Sequence, residues 1–204
     1  MVDACQIPPD ALARMSTEGL IQTCMDFPLL GDLLLNVGVN VPGRLQYFMT
    51  NFSGMIELTK RPDAGIKMIN RYSLMCPSCI NTYNSDIEKG RFTSQFTAYE
   101  MIVSYDSIIN KLSLNDKKIL IREALKKYNW KRQQPNNYAY YDFATSLYIP
   151  TKIMMIENYS PFVQQSLVNT QLQLYINKLL WPATYKETEA IFDIIVQKAT
   201  EFIK

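Results

Sequence analysis

Apolar side chains recur three or four residues apart along most of this chain, a spacing that is typical of the buried face of an α-helix. The segment from Ser85 to Leu112 shows this spacing most clearly. Ser85 and Glu88 have the spacing of a capping box, which marks the start of a helix. The apolar positions that follow are Phe92, Phe96, Tyr99, Ile102, Val103, Ile109 and Leu112. We therefore predict one long helix over residues 85 to 112.

Capping residues and prolines indicate where the other helices begin and end. Ser16, Ser113, Asp142 and Thr184 are candidate N-cap residues. The further predicted helices span residues 16 to 27, 28 to 35, 42 to 60, 62 to 74, 113 to 128, 142 to 158 with a kink or interruption at Pro150, 160 to 180, and 184 to 202. Residues 36 to 41 and 129 to 141 are predicted to be loops.

The composition favours a helical domain of ordinary size. Among 204 residues there are only 7 glycines and 10 prolines, too few for many short strands joined by turns. The hydrophobic fraction of 48% is enough to form a globular core. We predict one all-α domain over residues 1 to 204, with eight or nine helices arranged as antiparallel hairpins in a compact bundle or a short helical solenoid. No repeat of fixed period is found, which favours the bundle.

The chain contains no histidine, and this excludes the commonest catalytic and metal sites. Serine triads, cysteine–histidine pairs and histidine zinc sites are impossible without that residue. The sequence also lacks the short glycine-rich motifs that bind nucleotides. We therefore expect no cofactor and favour a protein without catalytic activity.

Cys76-Pro77-Ser78-Cys79 is the sharpest chemical motif in the sequence. Two cysteines at this spacing are typical of dithiol oxidoreductases, in which the first attacks a disulfide and the second resolves it. The thioredoxin-like fold places the motif after a strand, whereas here it follows a predicted helix. A zinc site that also used Cys5 and Cys24 would lack the second closely spaced pair. We favour a structural interpretation and keep a redox-active Cys76 and Cys79 as the alternative.

Basic residues are concentrated between positions 117 and 132. Lys118, Arg122 and Lys126 are four residues apart and so share one helix face. Trp130, Tyr138, Tyr140 and Tyr141 follow them and supply rings that could stack against bases or bind a sugar or a protein. This set of seven residues is the candidate binding site. The competing interpretation is a solvated helix face with aromatic rings packed on the core.

Segments in the first third of the chain resemble parts of uncharacterised bacterial proteins believed to be exported. The similar segments are residues 16 to 20, 26 to 32, 52 to 58 and 60 to 65. The resemblance implies a bacterial helical module that is exported or associated with the envelope. The first residues lack the basic start and apolar stretch of a signal peptide, so export would require a signal that had already been removed. No apolar run is long enough to span a membrane.

Together these patterns favour a non-catalytic helical interaction module whose partner is a protein or a glycan. A thiol–disulfide activity of Cys76 and Cys79 is the alternative. Binding of a polyanion along residues 117 to 132 is a third hypothesis, although the net charge of +2 gives little reason to expect nucleic acid.

Overall fold

The computed structural model describes residues 5–28, 30 and 40–204, and thirteen helices lie wholly within that part of the chain. No β-strand occurs among the described residues, which confirms the all-α prediction. The α-helices are α1 Pro9–Arg14, α2 Thr17–Met25, α3 Val41–Asn51, α4 Ser53–Lys60, α5 Ala64–Leu74, α6 Asp86–Val103, α7 Asp106–Ile109, α8 Leu114–Arg132, α9 Tyr140–Ile156, α10 Ser160–Leu167, α11 Thr170–Lys178 and α12 Tyr185–Phe202. A 3-10 helix, Pro77–Thr82, lies between α5 and α6.

The helix starts predicted from Ser16, Ser85, Ser113 and Thr184 are confirmed. The start predicted at Asp142 is wrong, because α9 begins at Tyr140 and Asp142 lies in its first turn. Ser85 accepts a hydrogen bond from the Glu88 amide at 3.3 Å, and the Glu88 carboxylate accepts one from the Ser85 amide at 3.2 Å. Ser16 caps α2 by accepting a single hydrogen bond from the Gly19 amide at 3.1 Å. The predicted helix over residues 28 to 35 and most of the predicted loop over 36 to 41 lie outside the described residues.

The predicted count of eight or nine helices is not confirmed, because three predicted helices are each divided in two and because α1 and the 3-10 helix Pro77–Thr82 were not predicted. The segment 85 to 112 breaks at Tyr105, which has an extended backbone between α6 and α7. The segment 42 to 60 breaks at Phe52, whose extended backbone directs its buried ring against Phe27, with ring centroids 4.6 Å apart. The segment 160 to 180 breaks at Asn169, whose side chain caps α11.

Two further boundaries differ from prediction. Helix α9 continues through Pro150, so the interruption expected there does not occur. Helix α8 extends to Arg132, so Trp130 and Lys131 belong to a helix rather than to a loop. The capping box formed by Ser113 and Asp116 starts this helix. This additional turn at the C-terminal end of α8 determines which basic side chains face the core.

Helix α9 lies at the centre of the packing and contacts α6, α8 and α12. It contributes Leu147, Ile149, Ile153 and Met154, all fully buried. Burying one such side chain stabilises the fold by about 1.5–3 kcal/mol. Helix α8 therefore rests on α9 with one face and presents the opposite face outward.

Candidate functional site

The basic residues of α8 divide into an inward and an outward group. Four of the seven basic residues between positions 117 and 132 form an ion pair with a carboxylate at a distance of 2.9 Å or less. These pairs are Lys117 with Glu157 at 2.5 Å, Lys127 with Glu123 at 2.9 Å, Lys131 with Glu100 at 2.8 Å, and Arg132 with Glu189 at 2.5 Å. Most of the positive charge that the sequence concentrates here is therefore neutralised inside the molecule.

Lys118, Arg122 and Lys126 remain on the outer face, and we call them the cationic row. One guanidinium nitrogen of Arg122 donates a hydrogen bond to the Ile203 carbonyl at 3.0 Å, which holds this side chain across the end of α12. Lys126 Nζ lies 4.9 Å from the centre of the Trp130 ring, a cation–π contact, and 4.0 Å from a Glu123 carboxylate oxygen. Arg122 and Lys126 are exposed and Lys118 is partly exposed, so the row is accessible to a partner.

Two contacts hold the far end of α8 in place. Arg132 donates two hydrogen bonds to the Glu189 carboxylate, at 2.5 and 2.8 Å. Such bidentate pairs are geometrically specific, and the contact with Glu189 raises the pKa of Arg132 well above its usual range. Glu189 belongs to α12, so this pair fixes α8 relative to α12 and with it the direction of the cationic row.

The three candidate tyrosines lie against three different neighbours and do not join the cationic row. The Tyr138 hydroxyl donates to the Pro77 carbonyl at 2.6 Å, and this ring is buried. The Tyr140 hydroxyl donates to Glu189 at 3.1 Å. The Tyr141 ring packs on Trp181, with centroids 6.0 Å apart. Of the seven candidate binding residues, the structure therefore brings Lys118, Arg122, Lys126 and Trp130 together on one face.

Cys76 and Cys79 lie at the beginning of the 3-10 helix, and both thiols are free. The Cys79 amide donates to the Cys76 carbonyl at 3.1 Å, and Cys76 Sγ lies 3.1 Å from the Ser78 hydroxyl. Hydrogen bonding from Cys79, and then from Ser78, lowers the pKa of Cys76, and the same contact raises the pKa of Cys79. Cys76 is half-buried and Cys79 is exposed. The two thiols therefore differ in acidity in the order that a dithiol exchange site requires.

The sequence analysis missed a buried polar centre between α5, α6, α8 and α9. Its members are Tyr72, Glu100, Lys131, Thr145 and Ser146, all fully buried. The Glu100 carboxylate accepts hydrogen bonds from Tyr72 at 2.8 Å, Lys131 at 2.8 Å, Thr145 at 2.7 Å and Ser146 at 2.7 Å. Lys131 Nζ also donates to Ser146 and to the Asp142 carbonyl. Each ionic group is thus paired and hydrogen-bonded, as burial of a charge requires.

A serine, a lysine and a carboxylate in contact are groups that could catalyse a reaction, but no solvent reaches them here. Each side chain is fully buried, so we assign the centre to stability and specificity of the fold. One sequence signal pointed to it: Glu100 is a single carboxylate in an otherwise largely apolar run from Phe96 to Val103.

Within residues 5–28, 30 and 40–204, no group of three or more potential metal ligands is found. In the same ranges, none of the helices combines the length and the apolar character that crossing a membrane demands. Comparison of the chain with protein-family models, with curated proteins and with solved structures gives no match.

Proposed function

We propose that the chain is a helical interaction module that binds an acidic segment of a partner protein along the cationic row of α8. One observation carries the proposal. Four of the seven basic residues of this stretch are neutralised by internal carboxylates, whereas Lys118, Arg122 and Lys126 are left on one outer face. A helix face that carries these three cations is suited to bind carboxylates of another protein.

The geometry of the row matches a particular kind of partner. Residues four apart on a helix are separated by about 6 Å along its axis, so the row extends over about 12 Å. Acidic side chains at the same spacing on a partner helix would meet all three cations. A single exposed ion pair contributes only about 0–1 kcal/mol, so the three must act together and with an apolar contact. Trp130 and the partly exposed Ile119 supply that contact on the same helix.

An acidic protein segment suits this face better than a nucleic acid or a glycan. Nucleic-acid affinity grows with the number of phosphates that basic side chains neutralise, and three cations neutralise few. Stacking of bases or sugars requires several exposed rings in one place. Tyr138, Tyr140 and Tyr141 lie on separate neighbours instead, and Trp130 is the single candidate ring beside the row.

The proposal is tested with a labelled helical peptide that carries glutamate at positions i, i+4 and i+8. Fluorescence anisotropy should show saturable binding at low ionic strength that weakens as salt is added. The variant Lys118→Glu, Arg122→Glu, Lys126→Glu should lose at least about tenfold in affinity, because three attractions become three repulsions.

A second triple variant supplies a matched control. Lys60, Lys178 and Lys186 are exposed and lie on three other helices, so changing all three to glutamate alters the net charge by the same amount. The affinity of this control for the peptide should be within about twofold of that of the unchanged chain once salt screens the long-range effect of net charge. Equal losses in the two variants would show non-specific attraction and contradict the proposal. Tighter binding of a single-stranded oligonucleotide than of the peptide would favour the polyanion hypothesis instead.

A further inference from the structure

The turn that carries Cys76 and Cys79 is anchored on a second loop. The Tyr138 hydroxyl donates to the Pro77 carbonyl at 2.6 Å, in the middle of the motif. Asn81 donates to Gln134 at 3.1 Å and accepts from Asn137 at 2.9 Å. The backbone that holds the two sulfurs is therefore fixed from the side of residues 134 to 138. Such support keeps a reactive pair in one geometry.

Large apolar side chains flank this turn along the chain and are exposed. Leu74, two residues before Cys76, is 83% exposed, and Ile87, in the first turn of α6, is 80% exposed. Exposed apolar side chains are typical of surfaces that contact other polypeptides, and these two lie on either side of the cysteine pair in the sequence. The Cys76 thiol is half-buried and thus differs in accessibility from the buried Cys24.

A polar cleft lies next to the same turn. It has a volume of about 200 Å³ and is lined by Ile80, Asp86, Lys89, Thr93, Asn136 and Asn137. Amide and hydroxyl side chains of this kind can hydrogen-bond to the main chain of an extended peptide without selecting its side chains. The cleft and the exposed apolar side chains therefore offer both kinds of contact that a polypeptide requires.

We infer that Cys76 and Cys79 form a thiol–disulfide exchange site whose substrate is a disulfide in an extended polypeptide. The inference goes beyond the proposed function, since the exchange site is built from residues other than the cationic row. It stands on the paired free thiols, the anchored turn, the exposed Leu74 and Ile87, and the polar cleft. The lowered pKa of Cys76 agrees with its role as the attacking thiol.

The exchange has two steps, and atoms and electrons balance. The Cys76 thiolate attacks one sulfur of the polypeptide disulfide, whose S–S bond breaks, and the other sulfur leaves as a thiolate that takes a proton from solvent. The Cys79 thiol then loses its proton and attacks Cys76 Sγ, which releases the second polypeptide thiol. The net result is a Cys76–Cys79 disulfide and a polypeptide dithiol. Two electrons pass from the chain to its substrate.

The test uses the full chain with Cys5→Ser, so that Cys76 and Cys79 are the only accessible thiols among the described residues. The probes are a synthetic peptide with a single disulfide flanked by leucine, and oxidised glutathione. In the Cys79→Ser variant the peptide should remain attached to Cys76 as a mixed disulfide, detected by mass spectrometry. With Cys79 present, the adduct should give way to an internal disulfide. The Cys76→Ser variant should form neither product at a comparable rate.

Two rate comparisons test the exchange site and its polypeptide substrate. At pH 7, Cys76 should react at least about tenfold faster than Cys5 in a chain that retains only Cys5 as an accessible thiol. The double variant Leu74→Ser, Ile87→Ser should slow the reaction with the peptide several-fold and leave that with glutathione unchanged. Equal rates for Cys76 and Cys5, or a Cys76 adduct that Cys79 never resolves, would overturn the exchange site. Loss of both reactions to the same extent, or of neither, would overturn the assignment of a polypeptide substrate.

Discussion

Lys131 Nζ donates a hydrogen bond to Glu100 Oε2 at 2.8 Å at a position where neither side chain is exposed to solvent. Lys131 Nζ also lies 4.4 Å from the centre of the Phe96 ring. The pair connects α6 with α8 in the middle of the core. Lys118, Arg122 and Lys126 lie in earlier turns of α8, on the side of the helix away from Lys131. The buried pair and the cationic row are thus two faces of the same helix.

Replacing Lys131 with methionine should destabilise the protein by about 3–5 kcal/mol, because Glu100 would remain buried without its counter-charge. Urea unfolding followed by circular dichroism measures the loss. The double variant Glu100→Gln, Lys131→Met should lose less than the sum of the single variants, because it removes both charges together.

An exposed pair provides the control for that prediction. Arg14 and Asp10 are 2.5 Å apart, and both side chains are largely exposed. Arg14→Met should therefore change the free energy of unfolding by less than about 1 kcal/mol. A loss at Lys131 as small as that at Arg14 would contradict the assignment of a stabilising buried centre.

Two glycines should respond to alanine with opposite signs. A Cβ atom at Gly65 would lie 2.7 Å from Leu112 Cδ2 and 3.2 Å from the Ile108 carbonyl oxygen, whereas one at Gly90 would meet nothing within 4 Å. Gly65→Ala should destabilise by about 1–3 kcal/mol through overpacking. Gly90→Ala, in the interior of α6, should stabilise by about 0.5–1 kcal/mol, since alanine reduces the entropy lost on folding. Urea unfolding of both variants measures the two changes in the free energy of unfolding. Changes of the same sign would contradict the packing described around α5.

The stability of the protein should fall as the pH rises above about 9. Burial raises the pKa of the Cys24 thiol to about 12, from an ordinary value of 9.0. Above that ordinary value the unfolded chain loses the proton and the folded chain keeps it, so the unfolded state binds fewer protons and is favoured. The slope reaches about 1.4 kcal/mol per pH unit for one group.

The variant Cys24→Ala removes this contribution. Urea unfolding under reducing conditions at pH 8 to 10 should show a smaller decline of stability with pH than in the unchanged chain. The free energy of unfolding of the variant at pH 8 should itself be lower. Tyrosines contribute mainly at higher pH, since their ordinary pKa is about 10. Parallel declines in the two proteins would contradict the burial of Cys24.

The helical class and several helix starts could be predicted from local sequence, because capping and periodicity act over a few residues. Ser85 with Glu88 and Ser113 are examples. The breaks at Phe52 and Tyr105 could not be predicted, because they depend on which ring or turn packs against distant residues. Gly54 and the six-residue interval between Val103 and Ile109 weaken the periodic pattern, but neither identifies Phe52 or Tyr105 as the position of the break.

The candidate site was predicted only in part for a related reason. The spacing of Lys118, Arg122 and Lys126 placed them correctly on one face of a helix. Nothing in the local sequence shows that Lys131 pairs with Glu100, 31 residues away, or that Tyr138 binds the Pro77 carbonyl, 61 residues away. Long-range pairing thus separated the tyrosines from the cationic row and neutralised most of the basic stretch.

The most direct test of the acidic-segment surface uses Trp130, which lies beside Lys126. The chain has 2 tryptophans, so Trp181→Phe leaves Trp130 as the single indole reporter. Titration of this variant with the peptide bearing glutamate at i, i+4 and i+8 should give a saturable change in Trp130 fluorescence. That change should weaken with added salt and vanish when Lys118, Arg122 and Lys126 are changed to glutamate. An unchanged Trp130 signal, or the same signal in the charge-reversed variant, would contradict binding at the cationic row.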